Sequence, residues 1–179
     1  MTLREDRQDR EDDAIRVIDY DVNWPLRFRT LEACLRSLLG AQVVRVEHIG
    51  STSVPGLAAK PVLDVDVVVR VATDLQPSIA QLEKGGYLHE GDLGVPGREV
   101  LRRPPGSERH HLYVLVDGSR ELRRHLAFRD ALRADQALRE EYAALKRALA
   151  QRFRDDRRAY TSGKSDFIEA TLKGPRTTG

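Results

Sequence analysis

Residues 48–69 read His-Ile-Gly-Ser-Thr-Ser-Val-Pro-Gly-Leu-Ala-Ala-Lys-Pro-Val-Leu-Asp-Val-Asp-Val-Val-Val. A Gly50-Ser51 turn is followed, after a short loop, by two carboxylates set one residue apart in an apolar strand. Side chains of a strand alternate between its faces. Asp64 and Asp66 therefore share a face, and Val65 points the other way. Neighbouring acids in apolar surroundings repel each other and are costly to desolvate. A hard divalent cation held by oxygen ligands resolves that conflict. Two solvated acids on an edge strand are the alternative, and the flanking valines argue instead for a central strand.

The chain has 179 residues, enough for one domain with a real core. Its 40% hydrophobic and 32% charged residues suit a globular protein with a charged surface. The net charge of +2 is too even to argue for a polynucleotide partner. The basic residues are mostly arginine, which suits phosphate or carboxylate recognition but equally a salt-laced surface. The single cysteine, Cys34, permits neither an internal disulfide nor a cysteine zinc site, and reads as a small buried hydrophobe. Neither a signal peptide nor an apolar run of membrane-spanning length is visible, so the expectation is a cytoplasmic protein without membrane contact.

Outward from the acidic strand the chain divides readily. Residues 1–13 hold nine charged residues and are expected to form a disordered arm. Residues 14–19 suggest a short strand or extended lead-in. Asn23 is an expected N-cap and Pro25 sits in the first turn of a helix. Trp24, Phe28, Leu31, Leu35 and Leu38 form its apolar stripe, Trp24 being a core anchor, and Gly40 ends it. Strands are expected at 42–47, 61–71, 87–90, 98–103 and 110–116. A helix capped by Thr73 or Asp74 runs through Leu75, Ile79 and Leu82 to Gly85-Gly86. Helices follow at about 119–133, at 135–153 with Asp135 as cap, and at 164–172, before a loose tail at 174–179. This order describes one α+β domain over 14–173: a mixed β-sheet flanked by helices on one side, with a helical C-terminal part.

Four separated segments carry a resemblance to a known family: residues 48–66, Tyr20-Asp21-Val-Asn-Trp24-Pro25, His110-His111-Leu-Tyr, and Leu-Ala-Phe128-Arg129-Asp130-Ala-Leu-Arg133. Together they resemble the GrpB family, over roughly residues 14–172. Its fold is the nucleotidyltransferase superfold shared with DNA polymerase β-like and aminoglycoside nucleotidyltransferases. The resemblance implies that Asp64 and Asp66 bind Mg²⁺ (or Mn²⁺), which holds the triphosphate of a nucleoside triphosphate. It also implies that Gly50 and Ser51 cradle the β- and γ-phosphates. The residues agree: glycine allows close backbone approach, and a turn starting at 51–53 aims N–H groups at an anion.

The superfold usually adds a third carboxylate from a neighbouring strand. Here strand 110–116 offers His111 and Tyr113, with Asp117 only at its end. His111 is a candidate general base or metal ligand, and Glu47, beside His48, is another candidate acid. Lys60 either reaches a phosphate or neutralises the aspartates. Thr52 and Ser53 either help hold an anion or cap a short helix. His110 and Arg109 are accessory candidates, and Arg102 and Arg103 with Arg109 form a possible phosphate-binding rim. Tyr160, Lys164 and Phe167 either close over a base or sugar or simply pack the last helix. The expected function is transfer of a nucleoside monophosphate to an unknown small-molecule or macromolecular hydroxyl acceptor. The alternative is a catalytically silent nucleotide-binding module. Because a similar domain follows dephospho-CoA kinase in some bacteria, a role linked to coenzyme A metabolism is a further option.

Overall fold

The computed structural model describes residues 14–174. The expected arm at 1–13 and the tail beyond Gly174 lie outside the described residues. Five strands, β1 (Val43–Ile49), β2 (Leu63–Val69), β3 (Leu88–Gly91), β4 (Arg98–Arg102) and β5 (His110–Val116), form one sheet in the order β1-β2-β5-β4-β3. β2 runs antiparallel to β1 and parallel to β5. The acidic strand is therefore central, as its valines required.

Alternation along β2 sorts the domain into two halves. Val65, Val67 and Val69 are fully buried in a core shared with Trp24, Leu31, Leu35 and Leu39 of α1 (Trp24–Leu39) and with Ile79 and Leu82 of α2 (Leu75–Lys84). The other face carries Asp64, Asp66 and Val68. Val68 packs with Leu115 and with Leu122 of α3 (Arg120–Ala134). Helices thus cover both faces. The apolar periodicity reveals that α1 and α2 are amphipathic, but not that the C-terminal helices fold back over the acidic face.

The C-terminal part is α3, α4 (Gln136–Arg152), the short α5 (Arg157–Ser162) and α6 (Ser165–Lys173). Ser119 caps α3 by accepting from Leu122 N, and Asp135 caps α4 by accepting from Leu138 N, which satisfies otherwise orphaned donors. Leu132, Tyr142 and Ala143 close over Val54, Leu57 and Ala58, so the loop after Ser53 is clamped beneath α3 and α4.

Several local expectations need correction. Residues 14–19 make only an isolated bridge, Ile18 to Ala59. Asn23 occupies the N-cap of α1 without a capping side-chain bond; Asp21 Oδ1 instead accepts from the Asn23 amide N at 2.8 Å. Cys34 is exposed rather than buried. A helix advances about 100° per residue, so the stripe through Leu31 and Leu35 continues to Leu39 and leaves Cys34 and Leu38 at its margin. α5 escaped the sequence reading because it is only six residues long. No helix among the described residues is long and apolar enough to cross a membrane.

Candidate functional site

β2 sets Asp64 and Asp66 on one face, but at different depths. Asp64 is partly exposed on the floor of a cleft of about 290 Å³. Its Oδ1 lies 2.8 Å from His111 Nδ1 on β5, the residue directly beside it in the parallel ladder. Asp66 is fully buried. Its Oδ2 lies 2.8 Å from Nδ1 of His125 on α3, and its Oδ1 has no hydrogen-bond partner. Burial pushes the Asp66 carboxyl above the ordinary carboxylate range, against the His125 hydrogen bond. Burial also raises Asp64, but the His111 hydrogen bond and the positive charge around it outweigh that and leave its carboxyl below the ordinary range.

Asp64 is pressed against the turn that precedes it. Gly50 has φ 67° and ψ −170°, a conformation essentially reserved for glycine. A Cβ on Gly50 would come within 2.2 Å of Asp64 Oδ2. Glycine here is what lets the backbone touch the carboxylate. After Gly50 the chain makes a tight 3₁₀ turn at Ser51–Ser53. Ser53 Oγ donates to Gly50 O at 2.6 Å, and Thr52 Oγ1 meets His48 Nε2 at 3.0 Å. Both hydroxyls are therefore engaged within this segment, and Ser51 and Thr52 also line the cleft.

Arginines on α3 hold the turn from outside. Arg133 donates twice to Ser53 O, at 3.1 and 2.8 Å, and Arg129 Nη1 donates to His48 O at 3.1 Å and to Glu47 Oε2 at 2.9 Å. Glu47 lies opposite Asp66 on β1 and so shares the acidic face, but Arg129 and Arg45 engage it. Asp117 likewise pairs with Arg45.

The opposite wall comes from the C-terminal helices and the loop before β2. Lys60, Lys146, Tyr160 and Lys164 line the same cleft as Asp64 and His111. Lys164 Nζ sits 4.5 Å from the Tyr160 ring centroid and Lys60 Nζ sits 5.8 Å from it, both within cation–π range. Lys146 is 2% exposed, lies over the Tyr142 ring and donates to Ala58 O. Burial lowers all three lysines, Lys146 to about 7 and Lys60 to about 8; neighbouring cations push Lys146 and Lys60 in the same direction, and Asp64 opposes the shift in all three. Burial lifts the Tyr160 hydroxyl to about 12.

Other sequence candidates fall elsewhere. His48 and His110 pair with Val65 and Leu63 and so project to the core face. His48 stacks on Phe28, with ring centroids 4.6 Å apart, and His110 meets the Tyr87 hydroxyl and Glu108 O. Phe167 stacks on Tyr142 in an apolar cluster. Arg102, Arg103 and Arg109 line a separate cleft. Sequence reasoning assigned no role to His125, Arg129, Arg133 or Lys146. The signals were present: Arg129 and Arg133 are i,i+4 neighbours on one helix face, and Lys146 interrupts the apolar stripe one turn after Tyr142. Among the described residues, no group of three or more His, Cys, Asp or Glu is arranged to hold a metal ion. A cation on Asp64 and Asp66 would therefore take further ligands from a phosphate and water.

The family profile described as "GrpB protein" matches residues 14–174. Among curated relatives, UPF0157 protein YqkA of Bacillus subtilis is 33% identical over 87% of this chain, which spans only 45% of that protein's length. UPF0157 protein BH1888 of Halalkalibacterium halodurans is 37% identical, with 92% of this chain and 84% of the relative covered. A dephospho-CoA kinase of Mycolicibacterium paratuberculosis is 26% identical over 86% of this chain and 44% of its own length. The crystal structure of GrpB from Enterococcus faecalis superposes with TM-score 0.80 at 37% identity, covering 88% of this chain and 95% of that one. The Cid1 poly(U) polymerase bound to MgGTP shares the fold at TM-score 0.53 and 17% identity, over 75% of this chain and 45% of that one.

Proposed function

The chain belongs to the GrpB family, and from that premise we propose that it is a divalent-cation-dependent nucleotidyltransferase, moving a nucleoside monophosphate from a triphosphate to a hydroxyl acceptor. One observation carries the reading. Asp64, packed against Gly50, lies in the same cleft as Lys60, Lys146 and Lys164. Carboxylates beside several lysines suit a polyphosphate that arrives with its own cation: lysines take the outer phosphate oxygens, and the acids take the metal. Likeness to the fold of Cid1 poly(U) polymerase, whose structure holds MgGTP, is in keeping with this.

The donor set fits Mg²⁺ or Mn²⁺. Both donors are carboxylate oxygens, and the buried Asp66 Oδ1 is an orphan that a cation would satisfy. Asp64 and Asp66 would hold the ion, which when bound supplies charge neutralisation at the transferring phosphoryl group. The remaining work falls to protein groups. Lys60, Lys146 and Lys164 position the β- and γ-phosphates and stabilise the departing pyrophosphate. His111 Nδ1–H donates a hydrogen bond to the Asp64 carboxylate, which leaves the Nε2 lone pair for the acceptor. The acceptor oxygen bonds to the α-phosphorus, its proton passes to Nε2, and the α–β bridging P–O bond breaks with its electron pair on pyrophosphate.

A nucleotide-binding module without turnover is a second reading. It is favoured by one feature: β5 sets His111 and Tyr113, rather than a carboxylate, beside Asp64 and Asp66. Thermal melting separates both from no function at this site. Each nucleoside triphosphate with Mg²⁺ is compared with Mg²⁺ alone. At least one raises the melting temperature of the wild type, and Asp64→Asn with Asp66→Asn removes the shift. The asparagine at 66 retains an oxygen for His125, so the variant folds. If no triphosphate gives a Mg²⁺-linked shift, both readings fail. Pyrophosphate release on adding an acceptor distinguishes the enzyme from the binder.

A further inference from the structure

α3 crosses the acidic face and sets His125, Arg129 and Arg133 on one stripe. They recur every four residues, so they project from the same side of the helix. Each lands on a different part of the site. Arg129 reaches His48 O and Arg133 reaches Ser53 O, on either side of the Gly50-Ser51 turn, while His125 reaches Asp66. Leu122, one turn before His125, is buried with Val68 and Leu115. The helix is thereby tied down on both sides of His125, and the position of the imidazole follows from contacts that it does not make itself.

The ring is also held from β5. Its centroid lies 5.9 Å from that of Tyr113, which stands beside Asp66 in the parallel ladder. His125 Nδ1 lies 2.8 Å from Asp66 Oδ2. With the carboxyl ionised, that nitrogen is the donor. The contact engages one oxygen of a fully buried acid and leaves Oδ1 unpaired. Support of the fold does not account for this. A carboxyl buried with one oxygen unmatched is costly, whereas Val68, two residues on along the same face, packs with no polar group at all. Nor does the imidazole touch a substrate. Neither it nor Asp66 is among the described residues that line the Asp64 cleft, so any effect of His125 passes through Asp66.

We propose that His125 is the positioning residue of the cation site: its Nδ1–H fixes the Asp66 carboxylate through Oδ2 and so keeps Oδ1 for the ion held with Asp64. The proposal rests on the reading above that these two acids hold a divalent cation, and it names the residue that orders the deeper of them. Without the hydrogen bond the carboxylate can turn through the broad, two-fold χ2 range open to aspartate. Ordering it again on binding weakens the hold on the ion. Outer partners that orient a ligating side chain commonly matter in this way.

The test reads ion-linked binding rather than turnover. Calorimetry measures the affinity for a non-hydrolysable ATP analogue in excess Mn²⁺ and again in EDTA. The ratio of the two isolates what the ion contributes. His125→Leu removes the donor and lowers that ratio at least about tenfold, the low end of the loss usual for such outer partners. His125→Asn, whose amide nitrogen can take the place of Nδ1, restores most of it. A role in packing alone would lower stability in the leucine variant and leave the ratio unchanged. An unchanged ratio in His125→Leu therefore overturns the proposal, as does a ratio in His125→Asn no better than that of leucine. If the wild type itself gains nothing from Mn²⁺, the cation reading fails and this proposal falls with it. Where the leucine variant does not fold, the wild type decides. Nitrogen-edited NMR of the His125 ring should show Nδ1 still protonated and hydrogen-bonded in excess Mg²⁺ and analogue. Loss of that Nδ1–H signal on binding overturns the proposal.

Discussion

Gly50→Ala probes the contact on which the site depends. The backbone at Gly50 lies where only glycine is comfortable, and forcing alanine there costs about 1–3 kcal/mol. The new methyl would also meet Asp64 Oδ2 at 2.2 Å and its Cβ and Cγ at 2.8 Å. Asp64 cannot swing away without stretching its 2.8 Å bond to His111. Relief of such overpacking typically costs about 1–3 kcal/mol more. The sum is about 2–6 kcal/mol, and at about 2–4 °C per kcal/mol for a domain of this size the melting temperature falls by at least about 4 °C. Gly56→Ala is the matched control: its φ is +79°, but nothing lies within 4 Å of the added methyl. It carries the backbone term alone and keeps the Mg²⁺–nucleotide melting shift, whereas Gly50→Ala loses it. Urea denaturation and nucleotide-dependent melting on both variants decide the matter. If the two are equally stable and both retain the shift, the packing of Asp64 on Gly50 does not organise the site and the argument fails.

Buried Lys146 titrates near 7 and Lys60 near 8 in the folded protein, against about 10.4 when unfolded. Between these values the unfolded chain binds more protons, so stability rises with pH from about 7 to about 10. Lys146→Met flattens that rise, as denaturation at a series of pH values will show; an unchanged slope would remove Lys146 as its source. Nucleotide affinity moves the opposite way, because the phosphates favour charged lysines. Calorimetry should find binding weakening above about pH 8 with proton uptake in that range, and a pH-independent affinity would contradict the lysine cradle. His111→Ala should lower turnover by about 10²–10⁴-fold with little change in nucleotide affinity; unaltered turnover would exclude it as the base.

What the sequence makes legible here is local and periodic. Alternation alone places Asp64 and Asp66 on one face of a central strand, and the helical stripe of α1 and the cap at Asp135 follow from spacing and side-chain chemistry. Contacts that depend on how distant elements cross are not legible. His48 and His110 lie close in sequence to the site, yet strand parity turns both toward the core, where Phe28 and Tyr87 receive them. His125 and Lys146 lie far away in sequence and reach the site because α3 and α4 fold across the acidic face. A cation on an apolar helical stripe signals burial, but its partner, the Ala58 carbonyl, belongs to a loop 88 residues earlier and no spacing rule connects them.

The two-sidedness of β2 has a consequence for inheritance as well as for chemistry. Its odd-numbered side chains form the centre of the hydrocarbon interior, while the even-numbered 64 and 66 provide the acids. A single inserted or deleted residue in this strand would exchange the two sets, driving carboxylates into oil and valines into water. Such a lesion cannot silence the site and spare the scaffold. Lineages that abandon the activity are therefore expected to do so by point replacement of the acids, leaving a folded relative with an intact valine ladder.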